Sequence, residues 1–263
     1  MGQYLNLERL GTSAIVTLSH PPSNLLTVAS LIELAAQLEV LELDGTVRAV
    51  VITGAGDAYF SAGVPLEDFS RGDAVAVEQL VSAMCSAFRA IRRFNGVVIA
   101  AVNGYALGAG LECALSCDYI VAEKGAKLGM PQARLGQIPF AGGAKLLFDR
   151  VGEAWTKRMV LGGELLDAEQ AIRIGLIEEL VDPGFAKIIG VSLANKVARQ
   201  GPVAVRESRR LIQACGSVSL EEHLPAARKA LLALVGAEEQ KAGVQAFLDQ
   251  HNPPWCTDED DED

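Results

Sequence analysis

Short β-rich runs that alternate with helix-length apolar patterns constrain this chain more than any other feature. SAIVTLSH (13–20), VRAVVITG (47–54) and VVIAAVNG (97–104) are rich in β-branched residues. Between them lie TVASLIELAAQLEVLE (27–42) and AVAVEQLVSAMCSAFRAIRRF (74–94), whose apolar residues recur at helical spacing. Two further stretches, YIVAEKGAKLG (119–129) and GLIEELVD (175–182), also read as strands. Apolar strands separated by helices predict an α/β fold in which mostly parallel strands are buried on both faces. After Pro183 the pattern becomes wholly helical, over 185–199, 202–214, 220–235 and 237–250. The expected organisation is an α/β core over 1–190, a helical C-terminal region over 191–257 and an acidic, disordered tail over 258–263.

Composition narrows the class. Half of the 263 residues are hydrophobic and only 5% are aromatic, which suits one large aliphatic core. The formal charge of -10 owes much to the terminal DEDDED, and such a run reads as a solvated tail. No basic cluster is dense enough to follow a phosphate backbone, so nucleic acid is not an expected partner. The opening MGQYLNLERLG lacks the basic and apolar regions of a signal peptide, and no uninterrupted apolar run reaches membrane-spanning length. Cys85, Cys113, Cys117, Cys215 and Cys256 form an odd, scattered set that reads as reduced thiols. A cytoplasmic location, away from any membrane, is expected. Cys113 and Cys117 share a helix face but have no His nearby in sequence, so they read as buried structural thiols and no metal is expected.

Familiar nucleotide motifs fail. VVITGAGDAY places Gly54 and Gly56 after a strand, but Tyr59 stands where the dinucleotide fingerprint needs its third glycine. GYALGAGLE has no Lys–Ser/Thr pair to hold phosphate. Two glycine-rich turns remain, YFSAGVPLEDF (59–69) and VNGYALGAGLECALSCD (102–118). The second leads into a helix that begins near Ala109, whose first N–H groups have no internal partner and carry partial positive charge. Gly63 before Val64 lets the first turn offer another free N–H. Two such donors converging on one oxygen would make an oxyanion hole. Glu112, three residues after Ala109, lies on the same helix face. From spacing alone, two roles stay open for it: capping its own helix, or acting on a carbonyl bound at the turn.

These residues resemble a known family. FSAGVPLEDF, followed by IAAVNGYALGAGLECALSCDYIVAEKGAKLGMPQARLGQIPFAGGAKLL, looks like the enoyl-CoA hydratase/isomerase (crotonase) superfamily. GGELLDAEQAIRIGLIEELVDP and GVQAFLDQHNPP extend the resemblance over nearly the whole chain. It implies a spiral core of ββα units, a helical trimerisation region, and a homotrimer or hexamer. It implies an acyl-CoA substrate, with coenzyme A entering as part of that substrate and no separate cofactor. The thioester carbonyl would sit between the N–H groups of Val64 and Ala109, with Ala62, Gly63, Leu66 and Gly108 contacting substrate. Hydratases of this family hold one water between two glutamates and add it across the 2,3 double bond. The first glutamate falls on Glu112 and the second position on Gln132, an amide that cannot give or take a proton. Hydration of a 2-enoyl-CoA is the leading expectation. Isomerisation, hydrolysis or decarboxylation of an acyl thioester, and silent thioester binding, are the alternatives that Gln132 raises. Glu67 stands where relatives often carry a Lys, and Gln250 and His251 where basic residues often follow the Ala-Phe pair.

Overall fold

The computed structural model describes residues 4–256, so the acidic segment expected over 258–263 lies outside the described residues. Repetition of one motif builds the fold. The first unit is β1 (Leu5–Leu10), β2 (Ser13–Leu18) and α1 (Val28–Asp44). The second is β3 (Ala49–Gly54), β4 (Tyr59–Ser61), a short α2 (Glu67–Arg71) and α3 (Ala74–Arg93). The third is β5 (Val97–Val102), β6 (Tyr105–Leu107) and α4 (Ala109–Ser116). The fourth is β7 (Tyr119–Glu123), β8 (Lys127–Gly129), a 3-10 turn (Pro131–Leu135) and α5 (Gly143–Val160). Then come β9 (Leu165–Asp167), α6 (Ala168–Arg173), β10 (Glu179–Val181), and the helices α7 (Ala186–Ala198), α8 (Pro202–Ala214), α9 (Leu220–Leu234) and α10 (Glu238–Leu248).

From the second unit to the fourth, the first strand joins one sheet and the second strand joins another. The large sheet runs β1-β2-β3-β5-β7-β10 and the small one β4-β6-β8-β9. Among the described residues, only β1·β2 and β8·β9 pair antiparallel. The strands expected at 13–20, 47–54 and 97–104 form as β2, β3 and β5, and β3 and β5 are buried along their whole length. Val50, Ile52, Val98 and Ala100 face the main core with α1 and α3, whereas Val51, Ile99 and Ala101 pack with Ala186 and Ala194 of α7. Covering both faces is what such uniformly apolar parallel strands require.

The continuous strand expected at 119–129 is two. A turn at Lys124–Ala126, closed by Ala126 N–H to Glu123 O at 2.8 Å, carries the chain from the large sheet to the small one. The strand expected at 175–182 is only Glu179–Val181. Helix α3 is long and apolar enough to cross a membrane by composition, but its Leu80, Met84, Ala87, Phe88 and Ile91 are buried in the core.

Helix α8 is tied to the core by a largely buried ion pair. Arg209 on α8 places Nε 2.7 Å from Asp118 Oδ1 and donates to the Ile91, Arg92 and Phe94 carbonyls at the end of α3. Asp118 Oδ2 accepts from Val98 N–H at 2.8 Å, so both partners are also bonded to backbone. Removing the cation would strand a largely buried carboxylate and three carbonyls. Arg209→Leu should therefore lower stability by about 3–5 kcal/mol in chemical denaturation.

Candidate active site

Strands β4 and β6 are parallel neighbours in the small sheet, with Tyr59 facing Tyr105 and Ser61 facing Ala106. The turns that follow them must therefore lie side by side. Gly63 has φ of 104°, which side chains rarely adopt, and a Cβ there would stand 3.1 Å from Leu107 O and 3.6 Å from Ala109 N. Gly108 (φ 52°, ψ -120°) makes the second sharp turn and opens α4. Ala62 N–H donates to Ser23 O at 2.9 Å, Leu26 N–H to Gly63 O at 2.7 Å, and Gly63 N–H to Ser61 Oγ at 3.2 Å. The neighbouring N–H groups of Val64 and Ala109 donate to no protein acceptor among the described residues. Ala109 also begins α4, so the partial positive charge of a helix N-terminus lies behind its N–H.

Glu112 sits one turn further along α4, fully buried. Its own N–H bonds to Gly108 O in regular helical fashion, and its carboxylate does not cap α4. Instead Oε2 accepts from Ala141 N–H and Gly143 N–H, both at 2.9 Å. Gly143 is the first residue of α5, so the carboxylate rests on the N-terminus of a neighbouring helix. This corrects the capping alternative: Glu112 serves another helix. Burial pushes its carboxyl above the ordinary value of 4.5, against the opposing pull of the Ala141, Gly143 and Phe140 N–H groups and of Gln132. The outcome is a charge held in place yet more basic than an exposed glutamate.

Gln132 is carried in by the 3-10 turn, which Pro131 starts and Gly136 (φ 67°) ends. Its Nε2 lies 3.3 Å from Glu112 Oε1, and its own Oε1 is buried without a protein partner. A Cβ on Gly108 would lie 3.5 Å from that Nε2. Thus Gly63, Val64, Gly108, Ala109, Glu112 and Gln132 form one cluster. Ala62 adjoins it in the first turn, and Leu66 is exposed at the start of α2. Burial raises the Cys113 thiol to about 12 and Cys117 well above its ordinary value, so neither offers a thiolate near neutrality.

The model of the enoyl-CoA hydratase/isomerase family matches residues 9–258. The chain belongs to the enoyl-CoA hydratase/isomerase (crotonase) family. It is 35% identical over 242 residues to the 2,3-dehydroadipyl-CoA hydratase of Escherichia coli (strain K12), covering 92% of this chain and 94% of that one. It is 32% identical to a short-chain-enoyl-CoA hydratase of Clostridium acetobutylicum, covering 93% and 94%. Among solved structures, Pseudomonas aeruginosa DspI superposes with a TM-score of 0.94 at 44% identity, covering 97% of each chain. An acyl-CoA substrate follows from the family.

Several positioning groups are not marked by any sequence motif for the site. Asn103 Nδ2 donates to Gly54 O (3.0 Å) and Gly56 O (2.7 Å), while its Oδ1 accepts from Gly54 N–H (3.1 Å), which locks the β3–β4 turn to β5. Asn24 Nδ2 bridges Ala55 O and Tyr59 O at 3.0 and 2.8 Å. The Ala141 and Gly143 N–H groups are backbone, which any residue type could supply. The glycine itself is the clue at 143, because a Cβ there would come within 2.5 Å of Glu112 Cγ. Gly143→Ala should displace the carboxylate and lower turnover at least tenfold, at a stability cost of about 1–3 kcal/mol. A steady-state assay with parallel thermal denaturation checks both numbers. A carboxyl whose folded-state value is raised loses stabilisation as pH climbs through that value. The stability of Glu112→Gln relative to the parent should therefore improve as pH climbs above the ordinary carboxyl value of 4.5, read from melting temperatures at each pH.

Proposed function

We propose that this protein hydrates 2-enoyl-CoA thioesters, adding water across the 2,3 double bond through a thioester enolate. One observation carries the reading: a buried carboxylate, Glu112, one helical turn beyond an unengaged N–H that stands beside a second. In this reading Val64 and Ala109 N–H groups receive the thioester oxygen as it becomes an oxyanion, each donor contributing roughly 10²–10³ in rate. Glu112 takes a proton from water as the oxygen bonds to C3, the π electrons move into the enolate, and Glu112 returns the proton to C2. Coenzyme A enters as part of the substrate, with Ala62, Gly63, Leu66 and Gly108 as contacts. The hydratase names of the Escherichia coli and Clostridium relatives support this choice. Isomerisation is the second reading, since moving a proton from one carbon to another, like the hydration path above, needs one carboxylate.

Crotonyl-CoA should be converted to a product heavier by one water, and Glu112→Gln should lower kcat by roughly 10²–10⁴ while leaving thioester binding within a few-fold. Product mass separates the readings, since isomerisation leaves it unchanged. The same proposal includes assembly as a homotrimer or hexamer. Leu220, Leu224, Leu231, Leu232, Phe247 and Leu248 on α9 and α10 are exposed, an apolar surface that a partner copy would cover. Sedimentation showing only monomer at micromolar concentration would contradict the assembly.

A further inference from the structure

We propose that the cleft between α3, α4, α5 and the turn after α8 binds a fatty carboxylate at a site separate from that of the acyl thioester. An occupant there slows turnover by loading the segment that holds Glu112.

The cleft encloses about 920 Å³, the size of a small-molecule site. Its charge is one-sided. Arg89, Arg92 and Arg93 line it from the end of α3. Their spacing puts all three on one helix face, where like charges repel unless an anion lies among them. None of the three side chains has an acidic partner among the described residues. The acids of the cleft are already engaged, Asp118 by Arg209 and Asp149 by Lys145. In a chain of formal charge -10 this is a local exception. The helix dipole accounts for Arg92 and Arg93, which stand in the final turn of α3. It does not account for Arg89, one turn earlier. Guanidinium forks match the paired oxygens of a carboxylate.

Beside the guanidinium groups the lining turns apolar. Phe88, Leu115, Phe140, Leu146 and Ile212 border the same space, and Ile212 is 70% exposed. A bare inorganic anion would satisfy the cations and leave this apolar surface in water. An aliphatic chain ending in a carboxylate covers both.

One wall of the cleft belongs to the candidate active site. Phe140, Ala141 and Gly142 line the cleft, while the N–H groups of Ala141 and Gly143 hold the Glu112 carboxylate. That cradle has no slack, because a Cβ on Gly143 would come within 2.5 Å of Glu112 Cγ. An alkyl chain pressed on Phe140 and Ala141 therefore displaces the donors of Glu112. The Val64 and Ala109 N–H groups belong to other turns, so thioester binding is untouched and the effect falls on kcat. This effect rests on the catalytic role given to Glu112 above; the binding site does not.

Calorimetry on the full chain in its native assembly tests the site. Octanoate should bind equally well with and without saturating butyryl-CoA, and hexanoate roughly tenfold more weakly for its two missing methylenes. Arg89→Gln combined with Arg93→Gln, both at exposed positions, should weaken octanoate by roughly tenfold or more. Octanoate should lower the kcat for crotonyl-CoA with KM unchanged, and should not do so in the double variant. Displacement of octanoate by butyryl-CoA would put it in the thioester site and overturn the proposal. Affinity that ignores chain length or the two arginines would overturn it too, as would no binding at all, the result expected if a neighbouring copy covers the cleft. A kcat that stays level with octanoate bound would overturn the coupling to Glu112. A chain that hydrates no enoyl thioester would sink the hydration reading and leave the binding results to stand.

Discussion

Everything at the candidate site depends on β4 and β6 being adjacent parallel strands. Parallel pairing, with Tyr59 opposite Tyr105 and, past a register shift, Ser61 opposite Ala106, keeps the two strand ends within a residue of each other, so the turns after them have to meet. The meeting is possible because of backbone geometry: Gly63 adopts a φ of 104° and presents no Cβ to Leu107 O. Asn103 and Asn24, through side-chain bonds to the preceding loop carbonyls, remove the remaining freedom of that arrangement. Two free N–H groups on neighbouring turns are thus a result of sheet register, set before any substrate arrives. Preorganisation of this kind is what gives such donors their value, since they need not reorient as charge develops.

Electrostatics couples the third and fourth units. Glu112 belongs to α4, but its charge is stabilised by the start of α5, through Ala141 and Gly143. A buried carboxylate without a cation nearby would normally neutralise itself by taking up a proton. Here three backbone donors and one amide oppose that tendency, and burial still prevails in raising the carboxyl. The balance suits acid–base work, because a group too easily ionised would be a poor base. It also explains the glycine pair at 142–143. Gly142 takes φ of 95° at the head of α5, and Gly143 has to lack a Cβ so that the carboxylate can approach its N–H.

Legibility from sequence followed element length and atom type. The six-residue strands β2, β3 and β5 stood out because their apolar runs are long enough to show a pattern. The three-residue strands β4, β6 and β9 are too short for a period of two, and β8 was merged with β7 in one expected strand, so the second sheet could not be read as a sheet except through the resemblance. Helix α5 was missed for a related reason: it opens on glycine and is broken at Gly152 (φ 76°), which blurs its spacing. At the site, Glu112 could be placed from its three-residue offset to Ala109. The Ala141 and Gly143 donors could not be read, because backbone N–H groups carry no residue signature. Nor could sequence say which end of the Gln132 amide faces Glu112, and that orientation decides whether the site offers a donor or an acceptor.

That last point bears on why an amide can occupy this position. A glutamate at 132 would set two buried carboxyls about as close as the present 3.3 Å contact, with no cation among the groups bonded to Glu112. Two such groups cannot both ionise, so one would hold a proton over part of the pH range and release it over the rest. Glutamine has similar size and shape but is neutral at every pH. It also donates to Glu112 permanently, where a second acid could do so only while protonated. The arrangement gives up a second proton source and gains a site whose charge state is set by one group alone. Sheet register brings the turns together, a helix terminus holds the carboxylate, and the amide donates to that carboxylate whatever the pH.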